Sequence, residues 1–168
     1  YKLLKTKEIY ITTEDGINLL SWHHLGNSNL PLLIYFQGNS YHIGDRANRI
    51  KKYIDVNWNG IILSWRGFGG NKGNPTEKNL YKDAEAILKW VRENTKFSKN
   101  QIIIYGESLG SGVAVELGIR YSFLSIVLEA PFTSVSEIAM KRYRIFPTKY
   151  LVKDRFDNLS KIDKLKSP

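Results

Sequence analysis

The sequence predicts one α/β domain, with a mostly parallel sheet, helices on both faces of the sheet and an antiparallel hairpin at the N-terminus. Short apolar runs alternate with amphipathic helical patterns along most of the chain, and such alternation is typical of parallel strands joined by helical crossovers. The first two runs are instead joined by Glu14-Asp15-Gly16, which favours a hairpin. The length of 168 residues and the hydrophobic content of 42% suit a single globular domain, residues 1–168.

The first three strands are predicted from alternation and from apolar content. Residues 8–13 alternate apolar and polar side chains, and residues 17–22 do so loosely, so the two segments form the hairpin. Residues 30–36 are nearly all apolar, as expected of a strand covered on both faces. Gln37-Gly38-Asn39-Ser40 ends this strand as a loop.

Two helices and one strand follow. Residues 42–54 and 77–94 have apolar side chains at helical spacing, and residues 60–65 form a buried strand between them. The glycine-rich loop at 66–73 has neither of the common phosphate-binding glycine patterns, so it is predicted to be a tight turn at the end of a strand. The helical stripes are Ile43, Ala47, Ile50 and Ile54 in the first helix, and Leu80, Ala84, Ile87, Leu88 and Val91 in the second.

The most informative stretch runs from Ile102 to Gly112 and contains Gly106-Glu107-Ser108-Leu109-Gly110. A G-x-S-x-G pattern between a strand and a helix is typical of a nucleophilic serine on a sharp turn. The turn strains the backbone of Ser108 and exposes its hydroxyl, and the two glycines avoid Cβ clashes between strand and helix. The N–H of Leu109 then points to where an oxyanion would form. The alternative for the bare motif is a glycine-rich turn with an ordinary serine.

The last third of the chain is less regular. Residues 125–128 form another apolar strand, and helical fragments are predicted at 134–143 and 147–152. Residues 132–165 as a whole are interpreted as a lid or cap-like region. Its carboxylates are expected to be helix caps or surface charges: Asp154, Asp157 and Asp163.

Composition limits the ligands and partners. A net charge of +9 favours anionic lipid or acidic substrates, but the lysines are scattered, which is also typical of a solvated surface. A membrane-surface contact is therefore the alternative to a plain basic surface, and no nucleic-acid motif is present. The absence of cysteine excludes disulfides and thiolate metal sites, and neither a metal nor an organic cofactor is implied. No run of 18 apolar residues exists within the chain.

The chain resembles the α/β-hydrolase superfamily, in particular its Bem46-like and alpha/beta-hydrolase-domain 13 and 17 branch. The resemblance extends over nearly all of the chain and depends on several segments in the right order. These segments are Thr13-Glu14-Asp15-Gly16, Phe36-Gln37-Gly38-Asn39-Ser40, Ser64-Trp65-Arg66-Gly67-Phe68-Gly69, Gly73-Asn74-Pro75-Thr76-Glu77, Tyr81-Lys82-Asp83-Ala84, Tyr105-Gly106-Glu107-Ser108-Leu109-Gly110-Ser111-Gly112 and Glu129-Ala130-Pro131-Phe132-Thr133-Ser134.

The resemblance implies an α/β-hydrolase fold and roles for individual residues. Ser108 would be the nucleophile, and the backbone N–H groups of Leu109 and Asn39 would form the oxyanion hole. The family usually has His-Gly-Asn where this chain has Gln37-Gly38-Asn39, which changes how the loop is braced but keeps the backbone donor. Residues expected to border the pocket are Gln37, Ser40 and His42.

The rest of a catalytic triad is not evident in this sequence. In this fold the acid and then the histidine follow the serine along the chain, yet His23, His24 and His42 all precede Ser108. His23 and His24 are expected at the surface or in packing, with His42 as an alternative general base. We expect the acid, the base and the last strands beyond Pro168, so that one sheet edge is exposed to association.

The sequence therefore predicts a serine hydrolase that cleaves an ester, thioester or amide of a small-molecule or acylated substrate, through an acyl-enzyme. The 168-residue chain by itself is expected to be inactive or nearly so. One alternative is a non-catalytic binding or scaffold module of the same fold. Another is a half-enzyme completed by a second chain. The expected location is the cytoplasm, or a membrane reached through a segment outside this chain.

Overall fold

The computed structural model describes residues 5–39, 42–142 and 152–168, and within them a six-stranded sheet of order β1-β2-β4-β3-β5-β6. β1 pairs antiparallel with β2 and β2 with β4, whereas β4, β3, β5 and β6 pair parallel. The predicted hairpin and the mostly parallel sheet are therefore confirmed. The strands are β1 Lys7–Thr12, β2 Asn18–His24, β3 Leu32–Phe36, β4 Asn59–Leu63, β5 Ile102–Glu107 and β6 Ser125–Glu129.

The helices are α1 Ala47–Asp55, α2 Glu77–Asn94, α3 Leu109–Arg120 and α4 Val135–Arg142. The helix predicted over 42–54 starts with a 3₁₀ turn, Ile43–Arg46, which His42 caps because its ring Nδ1 accepts the N–H of Gly44 at 2.8 Å. The fragment predicted over 147–152 lies outside the described residues except for Val152, which is not helical.

The two faces of the sheet carry separate cores. The larger core lies beneath α2 and α3, and the smaller one lies beneath α1 around Trp22, Tyr35 and Ile62. The prediction of helices on both faces is therefore confirmed. Fully buried Trp65 stacks on Phe36 with ring centroids 5.4 Å apart and fixes the ends of β3 and β4 relative to each other.

A buried arginine joins the hairpin, the loop after β4 and α2. Arg66 is 2% exposed, and its guanidinium pairs with Asp83 at 2.7 Å and with Asp15 at 2.8 Å. The backbone N–H of Arg66 also donates to Asp83 at 3.0 Å, so the buried charges are hydrogen-bonded as well as paired. The guanidinium holds the pKa of the Asp15 carboxyl well below its usual range. Sequence patterns predicted the turn at 66–73 but not this ion-pair group.

Residues 152–168 run across α2 and α3. Asp154 caps α2 by accepting the N–H of Glu77 at 2.8 Å, which confirms its predicted role. Buried Phe156 packs against the α3 glycine Gly112, and Lys161 pairs with Glu116 of α3 at 2.5 Å. The lid or cap role of residues 132–165 stays a prediction.

Candidate functional site

Ser108 occupies the sharp turn between β5 and α3. Its backbone has φ 47° and ψ −112°, a conformation that residues other than glycine rarely adopt. The N–H of Ser108 donates to the carbonyl of Glu129 at 2.9 Å, so the turn is anchored to the end of β6. The residue itself is exposed. The turn therefore holds the serine backbone in place while presenting its side chain outward.

The glycines beside Ser108 permit unusually close backbone approaches. A Cβ at Gly106 would lie 2.6 Å from the carbonyl oxygen of Gly110 and 2.7 Å from the Cβ of Ala114, as predicted for a strand and helix that nearly touch. A Cβ at Gly110 would lie 2.1 Å from the carbonyl oxygen of Phe36. Gly110 therefore also avoids a clash between a helix and a strand, as predicted, but the strand is β3 and not the preceding strand β5.

The loop after β3 lies directly against this turn. A Cβ at Gly38 would be 3.3 Å from the Cβ of Ser108, so the loop backbone and the serine are in contact. Asn39 follows at the surface, whereas Gln37 is fully buried and its carbonyl accepts the indole N–H of Trp65 at 2.9 Å. Leu109, the first residue of α3, is half-buried. Ser40 lies outside the described residues.

Each of the three histidines has contacts with other side chains or with the backbone. His42, in the segment after β3, caps the 3₁₀ turn, and its ring lies 6.3 Å from that of Trp22 on β2. His23 packs on Trp90 with ring centroids 5.2 Å apart, and burial lowers its pKa. His24 contacts the carbonyl of Lys5 through Nδ1 at 2.8 Å. The packing and surface roles predicted for His23 and His24 are confirmed, and the role of His42 as a base stays a prediction.

Two arginines from the α1 side bind the carboxylates nearest the serine. Arg46 donates to Glu107 through Nε at 2.7 Å and through Nη2 at 2.6 Å, and Arg49 pairs with Glu129. Tyrosine hydroxyls complete the group: that of Tyr35 donates to Glu107 at 2.6 Å, and that of Tyr105 donates to Glu129 at 2.8 Å. We call this group the arginine–glutamate network: Tyr35, Arg46, Arg49, Tyr105, Glu107 and Glu129.

The network keeps both carboxylates ionised at neutral pH. Burial acts to raise the pKa of Glu107, but Arg46 and Tyr35 outweigh it and hold that pKa below its usual value. The hydrogen bond from Arg49 lowers the pKa of Glu129. Burial and the neighbouring carboxylate raise the pKa of Tyr105 to about 12. The sequence analysis did not identify the network. Two features of the sequence hinted at it weakly, namely a glutamate at the end of two predicted strands and two arginines three positions apart.

Two cavities lie on the helical layers of the described residues. A groove of about 700 Å³ follows α2, and a small apolar cavity of about 20 Å³ lies beneath α1; neither is lined by Ser108. Within residues 5–39, 42–142 and 152–168, no cluster of three or more histidine or carboxylate side chains is arranged to hold a metal ion. In those same ranges no helix has both the length and the apolar content to cross a bilayer.

Comparison with curated proteins finds related sequences in bacteria and eukaryotes. An uncharacterized protein of Mycobacterium tuberculosis is 30% identical over 167 residues, which are 96% of this chain and 58% of the relative. Protein Bem46 of Schizosaccharomyces pombe is 30% identical over 176 residues, with the same coverage of 96% and 58%. Human alpha/beta hydrolase domain-containing protein 17B is 33% identical over 137 residues, 81% of this chain and 46% of the relative. The chain thus spans about half the length of these relatives.

Solved structures share the fold. An alpha-beta hydrolase from Vibrio vulnificus superposes with a TM-score of 0.81 at 20% identity, covering 97% of this chain and 61% of that one. A Pyrococcus furiosus esterase has a TM-score of 0.76 at 21% identity, covering 97% and 68%. This chain has the α/β-hydrolase fold. Its sequence is similar to Bem46 and to the domain 17 proteins, as the sequence motifs predicted, although no family profile matches it.

Proposed function

We propose that this α/β-hydrolase chain carries the nucleophile of a serine hydrolase, and that the nucleophile is Ser108. The observation that supports this most directly is the exposed serine at φ 47° between β5 and α3. Such a backbone conformation costs on the order of 1–3 kcal/mol and concentrates at functional sites. The serine Oγ attacks the carbonyl carbon of an ester, thioester or amide, and the leaving group departs with a proton. Water then hydrolyses the acyl-enzyme and regenerates the serine.

The backbone N–H groups of Leu109 and Asn39 form the oxyanion hole in this proposal. Leu109 begins α3, where the N–H groups of the first turn have no partner within the helix and the helix dipole favours negative charge. The loop that carries Asn39 is packed against the serine through Gly38, at the 3.3 Å separation given above. Two donors at this place would stabilise the charge that develops on the substrate oxygen.

The acid and the histidine base are proposed to lie in a part of the protein that follows Pro168. His23 packs on Trp90, and the Nδ1 atom of His42 accepts the N–H of Gly44. Glu107 and Glu129 are engaged with Arg46 and Arg49. The chain's coverage of only 58% of Bem46 supports a missing segment. Without a base the serine hydroxyl is a weak nucleophile, so the 168-residue chain alone is catalytically incomplete. The proposed substrate is a small or acylated molecule, reached in the cytoplasm or at a membrane surface that attracts the +9 chain.

A second candidate is a non-catalytic binding or scaffold module. The engagement of both carboxylates nearest Ser108 in ion pairs favours it, because neither carboxylate is free to act as a base. A half-enzyme that receives its acid and base from another chain would share the same geometry.

Ester turnover distinguishes these functions. A chain extended to the length of the relatives is expected to hydrolyse short p-nitrophenyl esters or thioesters, and Ser108→Ala is expected to reduce kcat by at least about 10³-fold. Ser122→Ala, a change at an exposed serine after α3, serves as the matched control and is expected to leave turnover unchanged. Equal turnover by the Ser108→Ala variant would overturn the proposal, and absence of turnover in the unmodified extended chain would favour the binding module.

A further inference from the structure

We propose that Arg46 and Arg49 are positioning residues that hold the loop carrying Asn39 at a fixed separation from Ser108. They do so by fastening the helical segment after this loop to Glu107 and Glu129. This inference rests on the proposed function, because the separation matters for catalysis only if the loop and the serine form one site.

On the sheet side, the two residues that carry the carboxylates are joined directly to the serine backbone. Glu107 is bonded to Ser108 through the chain, and the carbonyl of Glu129 accepts the N–H of Ser108 at 2.9 Å. Glu107 and Glu129 are partners in the parallel register of β5 and β6, so their side chains share one face of strands whose backbones lie about 4.8 Å apart. Two adjacent carboxylates repel each other unless cations neutralise them. An arginine paired with each carboxylate therefore removes this repulsion and stabilises the adjacent ends of β5 and β6.

On the helical side, both cations follow the loop closely in the chain. Arg46 ends the 3₁₀ turn that begins four residues after Asn39, and Arg49 lies in the first turn of α1. Residues three apart lie on the same side of a helix, so both guanidinium groups point to the same strand ends. Arg46 binds Glu107 with two nitrogens, which fixes direction as well as distance.

The loop and the first ion pair are also in direct contact. A Cβ at Gly38 would lie 3.5 Å from Oε1 of Glu107 and 3.3 Å from the Cβ of Ser108. The carboxylate therefore lies against the same point of the loop as the serine, and a shift of the Arg46–Glu107 pair changes the packing of the loop at Gly38. Oxyanion donors must be placed within about 0.5 Å of their productive position, so such a shift reduces catalysis before it unfolds the chain.

The tyrosines make the arrangement rigid. Tyr35 and Tyr105 stack with their rings 4.9 Å apart and 11° from parallel, and Arg49 also donates to the hydroxyl of Tyr35 at 3.1 Å. The two ion pairs are thus cross-linked through aromatic rings that belong to β3 and β5.

The test compares Arg46→Met and Arg46→Lys with the control Lys51→Met. Lys51 pairs with Asp55 on the exposed side of α1 at 2.6 Å, so its loss removes an ion pair of the same helix without touching the loop. In the first measurement, ¹⁵N relaxation dispersion is recorded on the amides of Gly38 and Asn39 in the 168-residue chain. We expect Arg46→Met to introduce exchange broadening there, Arg46→Lys to introduce less, and Lys51→Met to introduce none.

The second measurement is ester turnover by the extended chain. Arg46→Met is expected to lower kcat by about 10- to 100-fold with KM changed less than about twofold, because the donor is displaced without loss of the substrate pocket. Arg46→Lys is expected to recover part of that loss. Flat dispersion profiles at Gly38 and Asn39 in the Arg46→Met chain, or equal broadening there in Lys51→Met, would overturn the inference. If Arg46→Met does not fold, a flat profile in Arg46→Lys would overturn it in the same way. Absence of turnover in the unmodified extended chain would reject the proposed function, and the dispersion result would still decide the positioning role.

Discussion

The substitution Gly110→Ala tests the close approach between α3 and the end of β3. An added Cβ would lie 2.1 Å from the carbonyl oxygen and 2.6 Å from the carbonyl carbon of Phe36, whereas real Cβ contacts do not fall below 3.0 Å. The obstruction is backbone, so the helix or the loop must move by close to an ångström. Overpacking of this kind costs about 1–3 kcal/mol, occasionally more. The higher helix propensity of alanine returns at most about 1 kcal/mol.

Because backbone atoms cannot move aside as a side chain can, the cost lies at the upper end of that range, about 3 kcal/mol, and the propensity gain of about 1 kcal/mol leaves a net loss of about 2 kcal/mol in the free energy of unfolding. At a urea m-value of about 2 kcal/mol/M this loss lowers the denaturation midpoint by about 1 M. Gly60→Ala is the matched control, since a Cβ at this strand position meets nothing closer than 3.9 Å and is expected to leave the midpoint unchanged or slightly raised. A Gly110→Ala midpoint equal to that of the unmodified chain would refute the proposed contact between α3 and β3.

Three further perturbations address the ion-pair group of the β4 loop and the C-terminal segment. Arg66→Met leaves the buried Asp83 carboxylate without its cation and is expected to cost about 3–5 kcal/mol in urea denaturation, against less than about 0.5 kcal/mol for exposed Arg92→Met. Because the pKa of Asp15 is lowered on folding, its contribution is complete above about pH 5 and is lost as pH falls through the folded pKa. Asp15→Asn should therefore flatten the acid side of a stability–pH curve, and an unchanged slope would contradict this assignment. Phe156→Ala is expected to lower the free energy of unfolding by about 3–5 kcal/mol, and Phe156→Leu by less than about 1.5 kcal/mol. Equal losses in the two variants would contradict the view that the buried volume of this side chain stabilises the segment.

The parts of the fold that sequence predicted well are those encoded locally. The bounds of α2 follow from a five-residue apolar stripe and from Thr76, whose side chain accepts the N–H of Asn79 at the first turn. The Ser108 turn follows likewise from five consecutive residues. By contrast, the segment predicted as one helix at 42–54 changes from 3₁₀ to α geometry between Arg46 and Ala47, and the spacing of its apolar residues does not indicate this change.

The parts that sequence could not predict are contacts between distant segments. Arg46 and Glu107 are 61 residues apart, and Arg49 and Glu129 are 80 residues apart. Their pairing depends on strand order and register, which bring the ends of β5 and β6 beneath α1. The role of Gly110 depends on the same kind of information, because the atom it avoids belongs to β3. Local patterns identified the serine turn but not the network that supports it.

The most direct measurement of the central claim is labelling with a fluorophosphonate probe, with the modified residue located by peptide mass spectrometry. We expect rapid labelling of Ser108 in a chain extended to the length of its relatives, and none in its Ser108→Ala variant. We expect little labelling of the 168-residue chain, because a serine without a base is a weak nucleophile. Labelling of the extended chain at another residue, or none, would contradict the assignment of Ser108. Rapid Ser108 labelling of the 168-residue chain would contradict the proposal that its base lies after Pro168.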